Sequence, residues 1–232
     1  MKRKGAGYHH GDLRRALVEA TLDLVAEHGT DGFTLRAAAR LAGVSDGAPY
    51  HHFADKESLL AEVALEGYRL LEQDLSEVSR RATTEAAQKH AIAVAYVAFA
   101  AANPARFRLM FGPAVEQRTR HPELSNAAQR VFGHLRRALV GASRGGLAAE
   151  RSAALGSWAL VHGLALLSID GHLGSAARTR RGLHRLAREA LAPLAVVNGG
   201  GRRGPQAGDV TPPSGRRLRA ARDRGSELPR GR

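Results

Sequence analysis

The sequence contains no cysteine, which excludes disulfides, thiol catalysis, cysteine-ligated zinc and iron–sulfur clusters. Aromatic residues are also scarce, at 5% of 232 residues, so aliphatic residues and alanine must fill most of any core. The hydrophobic fraction of 44% is nevertheless ordinary for a globular protein, so a core can form. This length accommodates one sizeable domain, or a small domain joined to a medium one.

Two common enzyme motifs are absent as well. The chain has no Gly-x-x-x-x-Gly-Lys phosphate loop and no His-Glu-x-x-His zinc pair. His9-His10 and His51-His52 are adjacent pairs, whose side chains point in different directions on a helix and so make poor metal sites. We therefore expect a protein that is not an enzyme and that uses no cofactor or metal.

No segment predicts export or membrane insertion. The basic start runs into polar residues without an apolar h-region. The longest apolar stretch, 155–169, is about 15 residues long and is interrupted by two serines and a histidine, so it is too short to span a bilayer. We expect a soluble protein of the cytoplasm with no membrane partner.

Positive charge exceeds negative charge by 13, with 35 Lys and Arg against 22 Asp and Glu. Such a surplus favours a polyanionic partner, because each neutralised phosphate releases a condensed counterion. About half of it lies in 199–232, where nine Arg face three acidic residues. This stretch is rich in Gly and Pro and poor in large apolar residues, so we expect 197–232 to be a disordered Arg-rich tail. Residues 1–9 form a second basic segment, an N-terminal arm.

Apolar residues recur with helical spacing from residue 10 to residue 196, and no strand-like alternation appears, so the sequence predicts an all-α fold. Gly29 ends the first helix, and Thr34, Ser45 and Asp55 cap the next three. Those three and the later predicted helices cover 35–42, 46–52, 56–81, 84–102, 104–111, 123–142, 149–169 and 177–195.

Residues 34–53 carry the pattern of a helix-turn-helix. Gly43 suits a left-handed turn, Val44 can fill the space between the helices, and the small Ala39 lets them cross closely. Pro49 lies inside the second helix, which we expect to survive, loosened or wound as a 3₁₀ helix. An ordinary helical hairpin would show the same spacing, but a DNA-binding motif presents its second helix to the major groove.

The residues around this motif resemble the DNA-binding domain of TetR/AcrR-type bacterial transcriptional regulators. The resemblance covers about residues 10–60 and is carried by Thr34-Leu35-Arg36, Ala42-Gly43-Val44-Ser45, Tyr50-His51-His52-Phe53 and Asp55-Lys56-Glu57-Ser58-Leu59-Leu60. It implies a homodimer in which 10–58 binds a palindromic operator in double-stranded DNA. It also implies that 59–196 dimerises and binds a small-molecule effector.

The resemblance further implies which side chains meet DNA. Hydroxyls would reach phosphates, the polar aromatic and basic groups would contact the backbone, and 47, 48 and 51 would face base edges. The implied contact residues are Thr34, Arg36, Ser45, Asp46, Gly47, Ala48, Tyr50, His51, His52 and Lys56. For His51 and His52 the alternative is a solvated surface, and Phe53 is assigned to the core. Arg14 and Arg15 could touch flanking phosphates.

A second resemblance concerns about residues 90–175. The Trp158-x-x-x-His162-Gly163 pattern resembles the C-terminal domain of a TetR/AcrR subgroup named after its Trp-His-Gly triplet. We expect an apolar effector pocket in which His162 supplies a hydrogen bond or charge. Its predicted lining is Tyr96, Phe99, Phe107, Met110, Phe111, Trp158 and His162. The alternative is that these residues simply fill a helical core.

The last two helices are the expected dimer interface, packed against their symmetry mates as a four-helix bundle. Their predicted apolar faces are Leu155, Val161 and Leu166, then Leu183, Leu186, Leu191 and Leu194. The sequence thus predicts a transcriptional repressor released by an effector. The alternative is an architectural protein that binds DNA without sequence preference through its Arg-rich tail.

Overall fold

The computed structural model describes residues 10–112, 120–140 and 146–199, and these contain helices and no strand. The predicted all-α class is confirmed. The α-helices are α1 (His10–His28), α2 (Leu35–Leu41), α3 (Lys56–Arg81), α4 (Glu85–Ala102), α5 (Pro104–Phe111), α6 (Pro122–Val140), α7 (Gly146–Ile169) and α8 (Arg180–Gly199), with 3₁₀ helices at Ala48–His51 and Gly174–Arg178. The end of α8 extends three residues into the predicted tail; the arm at 1–9 and residues 200–232 lie outside the described residues.

The helix boundaries follow local signals in the sequence. The Thr34 hydroxyl accepts a hydrogen bond from the Ala37 backbone N–H at 3.1 Å and so caps α2. At α3, the Asp55 carboxylate accepts from the Ser58 N–H at 2.7 Å, while the Ser58 hydroxyl accepts from the Asp55 N–H at 3.1 Å. This reciprocal capping box satisfies two backbone donors that the helix itself leaves unpaired. Both predicted caps are confirmed, and Gly29 ends α1 with φ +70°.

Helix α3 belongs to two cores. Its first two turns bring Leu59, Leu60 and Val63 into a small core with α1 and α2. Farther along, Tyr68 and Leu71 lie in a larger core built with α4, α5, α6 and α7. The predicted domain boundary at residues 58 and 59 therefore falls inside one uninterrupted helix. The two halves are joined by this continuous helix and not by a flexible linker.

Helix α7 leaves an apolar face exposed. One side of it packs against α4 and α6. The other side carries Leu155, Leu160 and Leu167, which are 57%, 40% and 44% exposed. These leucines lie on the exposed half of α7, with Leu155 about 120 to 140° around the helix axis from the other two, and together they leave an apolar surface open.

The predicted dimer residues are therefore partly wrong. Val161, Leu183 and Leu191 are at least 91% buried within their own chain, because the helices are rotated relative to the predicted faces. Leu166 and Leu186 pack partly buried against the same core. Leu155 remains available to a partner, and the side chain of Leu194 lies outside the described residues.

Helix α7 is also apolar over a longer stretch than the 155–169 that the sequence predicted. Within the described residues, 147–169 form a span of 23 residues whose most apolar window of 18 residues has a mean hydropathy of 1.5, so it is long and apolar enough to cross a membrane by length and composition alone. The sequence estimate stopped at 155 and so missed two turns. Val161 and Ala165 of this helix are buried against neighbouring helices, but only 22% of the apolar window is buried, so α7 packs on the core along one side and leaves the rest exposed.

Gly67 is where α3 and α5 come closest. A Cβ there would lie 2.6 Å from Met110 Sδ and 2.9 Å from Arg106 Cγ. We expect Gly67→Ala to lower the free energy of unfolding by about 1 kcal/mol, because overpacking outweighs the helix propensity gained. The control is Gly133→Ala on α6, where a Cβ meets only the tip of Arg137 at 3.4 Å, and which should raise stability by about 0.5 kcal/mol. Urea denaturation would measure both, and an equal effect of the two variants would contradict the close packing.

Candidate functional site

The turn after α2 fixes the direction in which the chain leaves that helix. Gly43 adopts φ +70°, its N–H donates to the Arg40 carbonyl at 3.1 Å, and the Val44 N–H donates to the Ala39 carbonyl at 2.9 Å. These paired bonds form a Schellman motif, which satisfies the last carbonyls of α2. Val44 then packs against the small core. The predicted turn roles of Gly43 and Val44 are confirmed.

The segment after this turn is shorter than predicted. In place of a helix over 46–52 capped by Ser45, the structure has a 3₁₀ helix over Ala48–His51 with Gly47 at its N-cap and no side-chain cap. Ser45 contributes its carbonyl, which accepts from the Ala48 N–H at 2.9 Å. Pro49 occupies the second helical position, where a backbone N–H would have no partner in the helix, so the ring costs little. The expected 3₁₀ winding is confirmed, and the Ser45 cap is wrong.

Two buried residues hold this 3₁₀ segment in place and leave the others outside. Pro49 and Phe53 are buried, and Phe53 is 3% exposed. Between them Tyr50 is 53% exposed and His51 is also exposed. The chain therefore presents a short, anchored element to solvent, which we call the reading segment (residues 47–52).

The ten predicted DNA contacts lie on or beside the reading segment, and most are open to solvent. Thr34, Arg36, Ser45, Asp46, Gly47, Tyr50 and His51 are exposed, while Ala48, His52 and Lys56 are half-buried. None is enclosed in the core, so every one remains a candidate contact.

Two of the cations at this surface have partners within the chain. Arg40 binds Asp46 across the turn at 3.2 Å, and its hydrogen bond holds the pKa of the Asp46 carboxyl below the usual range. Lys56 places its ammonium 5.8 Å from the centre of the Phe33 ring, within the range of a cation–π contact. Asp46 thus neutralises a charge that would otherwise attract phosphate.

Arg40 is a residue that the motif analysis missed. It lies four residues after Arg36, so both side chains project from the same face of α2, and that spacing is visible in the sequence. Arg14, by contrast, is engaged inside the chain. It binds Glu62 at 2.6 Å and lies over the Phe53 ring at 5.5 Å, which fixes α1 to α3.

A cavity of about 520 Å³ opens between α3, α6 and α7. Its lining is Tyr68, Phe111, Ser125, Ala128, Gln129, Val131, Phe132, Leu135, Trp158 and His162. Five of these ten side chains are aromatic or imidazole rings in a protein with few aromatic residues, so the rings are concentrated here. The volume lies within the usual range for a small-molecule site.

The structure brings part of the predicted pocket together. Phe111, Trp158 and His162 line the cavity, and Tyr96 lies just behind it. Phe99 and Met110 are 4% and 0% exposed and do not line this cavity, so for them core packing replaces the predicted role. Phe107 lies against the His162 ring and borders a groove beside α1, which shares Phe111 and His162 with this cavity.

The residues that the sequence missed come mainly from α6 and α3. Ser125, Ala128, Gln129 and Phe132 recur on one face of α6 at helical spacing, which is a readable signal. Tyr68 comes from α3, and only the fold brings it to the cavity. Its hydroxyl donates to the Met110 carbonyl at 2.7 Å.

A chain of three side chains forms the back wall of the cavity. The Trp158 indole N–H donates to the Tyr96 hydroxyl at 3.4 Å, and that oxygen lies 3.0 Å from His162 Nδ1. Burial raises the pKa of Tyr96 and lowers the pKa of His162, so both are neutral at pH 7. His162 therefore belongs to a defined network, and within the described residues no backbone carbonyl accepts a hydrogen bond from its ring.

A metal site and an esterase-like site each have requirements with which the described residues can be compared. No group of three or more His, Asp or Glu that could hold a metal occurs in the described part of the chain. The sequence does contain one Gly-x-Ser-x-Gly spacing, at 141–145, outside the described residues. It falls between α6 and α7, whereas a nucleophile elbow connects a strand to a helix.

Comparison with known proteins assigns both halves of the chain. Residues 17–63 match the family model of bacterial regulatory proteins of the tetR family, and this range includes all ten predicted DNA contacts. Residues 90–190 match the tetracyclin repressor-like C-terminal domain, and this range includes the seven predicted pocket residues. The Trp-His-Gly subgroup stays a prediction.

Individual relatives agree with these two matches. The HTH-type transcriptional repressor AcnR of Corynebacterium glutamicum is 36% identical over 72 residues, which cover 31% of this chain and 38% of that protein. The HTH-type transcriptional regulator BetI of Pseudomonas fluorescens is 40% identical over 76 residues, which cover 30% of this chain and 39% of that protein. The matched segment thus spans less than two fifths of the length of these curated relatives.

A solved structure extends the likeness to nearly the whole described chain. A protein of unknown function from Rhodococcus sp. RHA1 superposes with a TM-score of 0.64 at 29% identity. The superposition covers 82% of this chain and 98% of that one.

Phe53 and Tyr50 provide a matched test of the reading segment's geometry. We expect Phe53→Ala to lower the free energy of unfolding by about 3 to 5 kcal/mol, because it empties a buried site. Tyr50→Ala should change it by less than about 0.5 kcal/mol, since the ring is mostly in solvent. Chemical denaturation followed by circular dichroism would measure both. Comparable losses for the two variants would show that the segment is packed differently.

Proposed function

Because the chain belongs to the TetR family of bacterial regulatory proteins, we propose that it represses transcription by binding an operator as a dimer. A small molecule in the cavity releases it. The protein acts on the bacterial chromosome and is therefore located in the cytoplasm. The observation that carries the proposal is the exposed reading segment, anchored by Pro49 and Phe53.

The reading segment combines a backbone that can approach DNA closely with polar side chains that can contact it. Its first residues, Gly47 and Ala48, have little or no side chain, so the backbone can approach base edges closely. Tyr50 and His51 supply polar groups that reach bases or phosphates. With few side-chain donors, specificity rests on His51, on main-chain approach and on DNA shape.

Positive charge occurs near the reading segment and does not extend over the whole N-terminal half. Residues 10–63 contain five Lys and Arg but nine Asp and Glu. Diffuse attraction to DNA is therefore weak in this region, and the cations near the reading segment, the exposed Arg36 and the half-buried Lys56, matter individually. The basic arm at 1–9 and the Arg-rich tail add the long-range attraction that this domain lacks.

The exposed apolar face of α7 supports dimerisation. Leu155, Leu160 and Leu167 alternate there with the small residues Gly156, Ala159 and Gly163. Small residues let two helices approach closely, while the leucines supply the buried apolar area. Two copies joined through this face, together with α8, present two reading segments to successive major grooves.

Effector control acts through α3. Tyr68 of this helix lines the cavity, and Lys56 begins the same helix 12 residues earlier, about 18 Å away along the axis. Helix α6, which forms the other wall, is tied to α3 by Arg69–Glu123 at 3.1 Å and Glu72–Arg130 at 2.9 Å. A ligand that displaces α6 therefore shifts α3 and changes the spacing of the two reading segments.

A footprinting experiment separates this proposal from the architectural alternative. The alternative is favoured by the nine arginines of the tail. For the repressor we expect a discrete two-fold symmetric footprint upstream of a regulated gene, retained when residues 200–232 are deleted. Binding that covers DNA uniformly and disappears with the tail would establish the architectural protein instead.

Lys56 tests the phosphate contacts. We expect Lys56→Ala to weaken binding to every sequence similarly and to reduce the slope of log K against log salt by about one unit. The control is Arg80→Ala near the other end of α3, an exposed cation whose loss should leave the slope unchanged. Filter binding at several salt concentrations measures both. A loss confined to one base pair of the operator would contradict the phosphate role.

A further inference from the structure

We infer that the effector is an uncharged, ring-containing molecule whose hydrogen-bond acceptor is bound by the Nε2–H group of His162. This inference rests on the proposed function, since it assumes that the cavity between α3, α6 and α7 is the effector site. It goes further by specifying the chemistry of the ligand.

The lining of the cavity selects against charge. None of the ten described residues that line it carries a formal charge at neutral pH. An ionised ligand group buried there would lose its hydration without gaining a counterion, which costs several kcal/mol. The rings of the wall, by contrast, offer edges and faces on which an aromatic ligand can pack. Phe132 and Trp158 meet edge to face at 5.9 Å, and Phe111 and His162 at 4.6 Å.

The hydrogen-bond chain determines which His162 nitrogen carries the proton. An indole N–H can only donate, so Trp158 uses the Tyr96 oxygen as its acceptor. The Tyr96 hydroxyl has one hydrogen, and in the described chain its remaining partner is His162 Nδ1 at 3.0 Å. Tyr96 must therefore donate to Nδ1, because otherwise its buried hydrogen would have no acceptor.

This assignment makes His162 a donor towards the ligand. A neutral imidazole whose Nδ1 accepts carries its hydrogen on Nε2. Burial lowers the pKa of His162, which keeps the ring neutral. Nε2 has no hydrogen-bond partner among the described residues, and His162 lines both this cavity and the groove beside α1. A carboxylate ligand would favour a second proton on the ring, and Nδ1 has no free lone pair to take one.

Four naphthalenes of similar size test the inference. The probes are 2-acetylnaphthalene (neutral acceptor), 2-ethylnaphthalene (no acceptor), 2-naphthoate (anion) and 2-naphthylmethylammonium (cation). Calorimetry at pH 7.5 on the full chain measures affinity. We expect the ketone to bind about tenfold more tightly than the ethyl compound, the value of one hydrogen bond from a buried donor, and both ions to bind more weakly than the ketone.

Substitutions test whether His162 causes the preference for the ketone over the ethyl compound. His162→Phe keeps a ring but removes the donor, so the ketone should lose its advantage while the ethyl compound binds about as before. The matched control is His172→Phe, the same change at an exposed position beyond α7, which should keep the tenfold ratio. If His162→Phe does not fold, Tyr96→Phe supplies the test. It releases Nδ1, allows either tautomer, and should reduce the ratio to about threefold.

The outcomes separate this inference from the proposed function. Tighter binding of the naphthoate or the ammonium, binding of none of the four, or an unchanged ratio in His162→Phe would overturn the inference. Operator binding by the full chain, measured without any probe, would remain intact in each of these cases. A chain that binds no operator at all would instead refute the proposed function.

Discussion

A single unbroken helix is the constraint on which the rest of the molecule depends. The 26 residues of α3 begin at the capping box beside the reading segment and continue through both cores. Because Leu59 and Leu60 pack on α1 and α2 while Leu71 packs on α4 and α6, neither half can rotate without moving this helix. In the proposed mechanism, a change at the cavity is thus transmitted as a rigid-body displacement, with no need for a chain of side-chain rearrangements.

The DNA-facing end is built from residues that restrict the backbone. Gly43 permits a left-handed turn, and Pro49 fixes φ in the second position of a 3₁₀ helix. Together with the buried Phe53 they leave the reading segment few alternative conformations. A preorganised segment loses little entropy when it binds, which compensates for the small number of side-chain donors that Gly47 and Ala48 leave available.

Sequence reasoning succeeded where local chemistry determines the structure. Caps at Thr34 and Asp55, the turn at Gly43 and the limits of α3 and α5 depend on residues a few positions apart, and all could be predicted. The lining of the cavity could be predicted only in part, because Tyr68 reaches it from a helix 90 residues before Trp158. The open face of α7 was misassigned for a related reason. An all-apolar helix gives no periodic signal, so only its neighbours decide that Val161 is buried and Leu160 is exposed.

In the proposed mechanism, the distribution of charge lets a small difference in ligand affinity between two states control DNA binding. With more acidic than basic residues in 10–63, close contacts at the reading segment must carry the specific affinity, and such contacts are lost over an ångström or two. A ligand then needs to favour the displaced state by only about 2 to 5 kcal/mol to release the operator. A uniformly basic domain would hold DNA electrostatically in both states, and the same displacement would have little effect. In that mechanism the acidic residues of 10–63 keep non-specific attraction low at the domain that carries the reading segment, and the long-range attraction comes from the arm and the tail.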